Sequence, residues 1–177
     1  MAKNHIVQRG HPALHRRAKE ISQKEIGNKK LHTLIQKMKR LLAAEKNGVG
    51  LAAPQIGESV RIFVVSHKAF EKESDEKEKQ SGQKNDLVFI NPKLVRTSRK
   101  KQTFYEGCLS VRGTFGNVTR PLKASVSALD EKGRSFIYHG SGLIAEIFQH
   151  ELDHLDGHLF IEKAENLEEI KEDEENT

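Results

Sequence analysis

Residues 141–157 read SGLIAEIFQHELDHLDG. Leu143, Ile144, Ile147 and Phe148 recur at the three-and-four interval of an amphipathic helix. Ser141 suits the cap at its start and Gly157 the stop at its end. The spacing predicts a helix from Gly142 to about Leu155 with one face in a core. His150 and His154 then stand one turn apart on the same face, so two imidazoles can reach one metal ion. Glu151 adjoins the first, where its carboxylate can reach a water on that ion. This is the H-E-x-x-H arrangement of metal-dependent hydrolases. The bland alternative is a helix with two surface histidines. Apolar neighbours on the helix argue for burial of part of this face, and buried imidazoles need partners.

A catalytic centre wants three protein ligands and one open position. Downstream, the candidates are Asp156, His158 and Glu162. His158 would extend the same face, but Gly157 is expected to break the helix first. Upstream stands Cys108, in Glu106-Gly107-Cys108-Leu109-Ser110. Thiolate and imidazole together suit a borderline or soft divalent ion. Periodicity does not choose between these candidates.

Working outward, Leu31, Leu34, Ile35, Met38, Leu41 and Leu42 mark an earlier helix, from about Asn28 as its cap to Lys46, with Gly48 as a stop. The small-residue run Gly48–Gly57 suits a tight backbone passage. Strands are predicted at Arg61–Ser66, Leu87–Ile90, Lys93–Thr97, Ala124–Leu129 and near Arg134–His139, with Asp130–Gly133 as a turn. Glu71–Asp86 is charged, lacks apolar residues and is expected to be a mobile loop. Residues 1–27 read as an irregular arm, and the segment from Glu165 as a frayed helix. Helices at either end of a set of mostly antiparallel strands make the class α+β. The expected division is one domain over 1–164 and an acidic tail over 165–177.

The chain has 177 residues, enough for one core. Charged residues make up 31%, which favours a solvated surface. No apolar run approaches the roughly 20 residues that span a bilayer, so no membrane role is expected. The first residues lack the apolar core of a signal peptide, and a cytoplasmic setting is expected. One cysteine excludes an internal disulfide. The net charge is +5, yet Lys163–Thr177 holds two lysines against seven acids, leaving the rest at +10. No nucleic-acid motif accompanies that basic body, and no sequence-specific nucleic-acid binding is expected.

Three segments carry a resemblance. Gly-Val-Gly-Leu-Ala-Ala-Pro-Gln (48–55), Glu-Gly-Cys-Leu-Ser (106–110) and Gln-His-Glu-Leu-Asp-His-Leu (149–155) resemble the signatures of peptide deformylases, in the family's order and at similar spacing. The likeness runs from about Val7 to Lys163. It implies a compact single domain whose mostly antiparallel sheets surround the metal-binding helix. It implies a reaction, removal of the N-formyl group from the initiator methionine of nascent polypeptides, with release of formate. It implies iron(II) as the usual ion, with nickel, cobalt or zinc as substitutes.

By the same resemblance Cys108, His150 and His154 hold the metal, and Glu151 carries the proton from water to the leaving amine. The Gln55 amide and the Leu109 backbone N–H donate to the developing oxyanion. Val49, Gly50, Phe104, Glu106, Leu143 and Ile147 are the expected substrate-binding residues, with His150 also against the methionine side chain. Gly50 is expected to pair through its backbone with the substrate chain. Glu146 stands where many members carry an apolar or basic residue, at the expected pocket rim. Arg120 is expected either to support Glu106 or to be a plain surface charge. Arg112 replaces the family's proline and Phe115 its arginine, which puts the details of peptide binding in question. Transient ribosome contact, if made, is expected through the basic body, because RNA phosphate repels the acidic tail. Two other readings compete. One is a protease for internal peptide bonds. The other is a metal-stabilised binding module, against which Glu151 and Gln55 argue.

Overall fold

Ile62-Phe63-Val64-Val65 is buried at every position, which is unusual for a strand with one wet face. The reason lies on both sides of it. Ile62 and Val64 pack with Leu31, Ile35, Met38 and Leu42. Phe63 and Val65 pack with Ile144, Ile147, Phe148 and Leu155. The sheet holding this strand is therefore sandwiched between two helices.

In the computed structural model, which describes residues 5–73 and 85–170, those helices are α1 (Lys29–Ala44) and α3 (Gly142–Asp156), with a short α2 (His67–Glu73) between them in sequence. The strands are β1 (Gly50–Ala52), β2 (Ile62–Val65), β3 (Leu87–Thr97), β4 (Lys101–Cys108), β5 (Val111–Pro121), β6 (Lys123–Leu129), β7 (Ser135–Ser141) and β8 (Glu165–Glu169). Five form one antiparallel sheet in the order β1-β2-β3-β6-β7, and three form another in the order β4-β5-β8. The class is α+β, as expected.

Asn28 caps α1 through its side chain, which accepts from Leu31 N–H at 2.7 Å. The helix ends at Ala44, before Gly48. Ser141 occupies the cap position of α3, without a side-chain cap bond, and Gly157 ends the helix at φ 87°. Phe148 seats α3 on the sheet. Its ring lies 5.1 Å from that of Phe89, which in turn stacks on Phe63 at 4.5 Å.

Several expectations need correction. Leu87–Ile90 and Lys93–Thr97 form one strand, β3, with a bulge at Asn91-Pro92. Asn91 takes a positive φ of 49°, and its side chain pairs with both the N–H and the C=O of Ile21 at 2.8 Å. Asparagine tolerates that backbone, so the chain kinks without ending the strand. The expected loop Glu71–Asp86 begins inside α2, and residues 74–84 lie outside the described residues. The expected frayed helix from Glu165 is instead β8, held to β5 by backbone pairing that its acidic side chains do not announce. Residues 171–177 of the expected tail lie outside the described residues. Strands β1, β4 and β5 were not expected. No helix among the described residues is long and apolar enough to cross a membrane.

Candidate metal centre

Strand β4 ends at Cys108, and its partner β5 starts three residues later at Val111. This tight hairpin end brings the thiol against α3. Cys108 Sγ lies 3.2 Å from His154 Nε2. One ligand atom each from Cys108, His150 and His154 falls within 4.8 Å of the others. The downstream candidates are engaged elsewhere. Asp156 pairs with Arg61 at 2.7 Å, and His158 pairs with Glu162 at 2.9 Å. Among the described residues the three-donor cluster is therefore the one built with the upstream cysteine.

The donor set fits a divalent ion on three observations. His150 Nδ1 is hydrogen-bonded to Glu106 at 2.9 Å, which leaves Nε2 as the ring atom able to ligate. Burial, with help from the neighbouring His150 charge, pushes His154 well below the usual histidine range, which favours the neutral ring that a metal ion needs. Glu151 Oε2 and His154 Nδ1 are buried side-chain atoms without a hydrogen-bond partner among the described residues. An unpaired buried polar atom costs about 1–3 kcal/mol, so these atoms are better explained by function than by stability.

Around the donors lies a charge network. Arg120 Nε donates to Glu106 Oε1 at 2.5 Å and Nη2 to Oε2 at 3.0 Å, while Nη1 reaches Asp153 at 2.9 Å. Lys163 holds the other oxygen of Asp153 at 2.6 Å. Arg120 is thus a buried support, not a surface charge. Burial opposes the charged form of Glu106, but the His150 and Arg120 bonds hold it below the usual carboxylate range. Burial likewise opposes a charged His150, yet the Cys108 and Glu106 bonds raise it well above the usual histidine range, so an ion entering this centre must displace its proton. Glu151 goes the other way. Burial lifts it to about 7, only partly offset by His150.

Gln55 is buried at 1% exposure. Its Oε1 accepts from Ala52 N–H at 2.8 Å, which aims Nε2 at Ser110 Oγ (3.3 Å) and Cys108 Sγ (3.6 Å). The amide donor therefore faces the centre. A cleft of about 450 Å³ opens on one side of it. Val49, Gly50, Gln55, Leu109, Leu143, Ile147, His150 and Glu151 line it, and so does Glu146. Phe104 and Glu106 are not among the lining residues. Phe104 is buried, and Glu106 turns to Arg120 and His150. Gly50 has a reason for being glycine beyond substrate pairing. A Cβ there would meet Glu151 Oε1 at 2.5 Å and Ile147 Cγ2 at 3.0 Å. Reading the sequence missed Ser110 and Asp153, although both lie inside quoted segments. It also missed the bidentate pair of Arg112 with Glu45, at 2.6 and 3.2 Å, which borders the cleft.

The family model described as polypeptide deformylase matches residues 3–169. This chain belongs to that family. The peptide deformylase of Desulforudis audaxviator is 38% identical over 97% of this chain and all of its own length. The peptide deformylase 1A, chloroplastic/mitochondrial, of Arabidopsis thaliana is 39% identical over 89% of this chain, and the match spans 60% of that longer protein. Among solved structures, the Met-Ala-Ser-bound class I type b peptide deformylase of Acinetobacter baumannii matches at TM-score 0.78 and 32% identity, covering 92% of this chain and 99% of that one. The actinonin complex of the Synechococcus elongatus peptide deformylase matches at TM-score 0.77 and 35% identity, covering 94% and 84%. The family is metal-dependent and acts on formylated nascent peptides.

Proposed function

We propose that this protein hydrolyses the N-formyl group from the initiator methionine of nascent polypeptides in the cytoplasm. The observation that carries this reading is the convergence on one cleft of the three-donor cluster, the buried carboxylate of Glu151 and the inward-aimed amide of Gln55. Cys108, His150 and His154 would hold one divalent ion, iron(II) first, with nickel, cobalt and zinc as alternatives. That ion, when bound, supplies an acidified water and a Lewis acid for the formyl oxygen.

The chain's own residues do the rest. Glu151 takes a proton from the attacking water and returns it to the amine nitrogen as the formyl C–N bond breaks. Its value of about 7 suits both roles near neutral pH. Gln55 Nε2 and the Leu109 N–H donate to the oxygen as it gains charge. Glu106 and Arg120 fix the His150 ring, acting through it and not on substrate. Val49, Leu143 and Ile147 take the methionine side chain. The Met-Ala-Ser complex of the Acinetobacter relative supports a methionine-led peptide in this cleft.

The test is formate release from an N-formyl-Met peptide by protein purified without oxygen and loaded with iron(II) or nickel, beside Glu151→Gln. Release by the native protein and a fall of roughly 100-fold or more in the variant is the expected result. Cleavage of unformylated peptides would point to an internal protease. No release from folded, loaded protein would point to a binding module.

A further inference from the structure

The N-terminal arm has a task that its irregular backbone does not announce. Ile6 joins the apolar cluster that holds Ala53, Ile56 and Leu109, and Val7 joins the one that holds Cys108 and Val111. The Val7 N–H donates to the Gln55 carbonyl at 2.8 Å. The arm thus lies between the turn that carries Gln55 and the turn that carries Cys108 and Leu109. Gln8 follows and is exposed. Its Nε2 donates to the Leu109 carbonyl at 3.0 Å, and its Oε1 accepts from the Arg112 N–H at 3.5 Å. That N–H decides which end of the amide faces Leu109. The Leu109 carbonyl and the Ser110 N–H share one peptide unit and point in opposite directions. The Ser110 N–H donates to Cys108 Sγ at 3.4 Å. One peptide is therefore held at both ends, by Gln8 on one side and the cysteine sulfur on the other.

Anchoring the arm alone would not require Gln8. The burial of Ile6 and Val7 and the bond from Val7 to Gln55 already fix it. We propose that Gln8 is a positioning residue for the hydrolysis. It grips the Leu109–Ser110 peptide so that the Leu109 N–H keeps its aim and the Ser110 N–H stays on the sulfur. This rests on the deformylase reading, in which the Leu109 N–H donates to the oxyanion. Gln8 is not among the residues that line the cleft, so it acts through the backbone and not on substrate. Only Leu109 and Ser110 separate the end of β4 from the start of β5. Fixing the second peptide of so short a turn leaves Leu109 little room to rotate, and an oxyanion donor works only where it is already aimed. A peptide whose carbonyl accepts a bond also donates more strongly through its N–H. Gln8 therefore reinforces the Ser110 bond to Sγ. The neighbouring Val7 holds Gln55, so adjacent residues of one segment set both proposed oxyanion donors.

Two variants and two readouts test this. Gln8→Met keeps the length of the side chain and loses both hydrogen bonds. Gln8→Glu keeps the acceptor for Arg112 and sets an oxygen against the Leu109 carbonyl. In nickel-loaded protein, kcat for formyl-Met-Ala-Ser is expected to fall roughly fivefold in Gln8→Met and further in Gln8→Glu. Affinity for unformylated Met-Ala-Ser, which has no formyl oxygen, should stay native, and so should the thermal midpoint. The second readout needs no turnover. In zinc-loaded protein, amide exchange followed by NMR should be roughly fivefold faster at Leu109 and Ser110 in Gln8→Met, with the rest of β4 and β5 unchanged. Native kcat in both variants overturns the proposal. So does a fall in kcat with exchange unchanged, which would put the cause elsewhere. A lower thermal midpoint with product affinity reduced alike makes Gln8 a mere anchor of the arm and overturns it too. No formate even from native loaded protein removes the deformylase reading, and faster exchange at Leu109 and Ser110 would then keep the grip without that reaction.

Discussion

Glu106 has no exposed side-chain surface, and Arg120 keeps 5% of its own. Removing Arg120 would leave a carboxylate buried with too few donors. Arg120→Ala is expected to cost roughly 3–5 kcal/mol, seen as a lower denaturant midpoint at unchanged slope. A loss below about 1 kcal/mol would show that Asp153, Lys163 and Glu106 rearrange without it. Glu146 offers a pH test. Burial, and then the Glu106 charge, raise it from 4.5 to about 7. Its folded value exceeds its unfolded one, so the folded state holds the extra proton between those two values. Stability from this group therefore falls as pH rises from 4.5 to about 7. Glu146→Gln is expected to match the native thermal midpoint near pH 4.5 and exceed it at pH 8. An equal difference at both values would remove Glu146 from this role. Its place on the cleft wall gives a second expectation, that Glu146→Ile shifts peptide preference; an unchanged profile would remove that role. Individual residues were the most legible level. The helical spacing of His150, Glu151 and His154 marks a centre without help from the fold, whereas Cys108 could be chosen over His158 only through a resemblance.

Among the elements, α1 and α3 were legible to within two residues at either end, because their apolar stripes face one sheet from opposite sides. The hairpin that carries the cysteine was not. In β5 the inward positions include Thr114, Gly116 and Arg120, so burial alternates while hydrophobicity does not. β8 is exposed throughout and held by backbone bonds, which leaves no periodic trace. The meeting of β1 with α3 carries its own test. Gly50→Ala must push Glu151 aside, and kcat is expected to fall at least about tenfold with circular dichroism unchanged. A variant with native kcat would show that Glu151 has room to shift and still work.

For the molecule as a whole, the three candidate metal donors join the end of β4 to the C-terminal half of α3, two elements from different layers. An ion that binds only the folded arrangement adds to its stability. A chelator is expected to lower the thermal midpoint and abolish formate release together, and iron(II) or nickel to restore both. A midpoint indifferent to chelator would confine the ion to chemistry. Charge is also divided at this scale, +10 over residues 1–162 and −5 over 163–177. Any ribosome contact is expected on the basic part. Cross-links mapping to Glu165–Thr177 would contradict that.

Cys108 is the only thiol in the chain and stands half-buried at the cleft. A dye that reacts with free sulfhydryls therefore gauges vacancy at the centre, molecule by molecule, without substrate. Filled protein should yield little colour, chelated protein one equivalent per chain, and a partly filled preparation the fraction between. The same sulfur exposes the proposed centre to peroxide, since oxidation of a single atom would remove one of its three candidate donors and the chain has no second cysteine to rescue it as a disulfide.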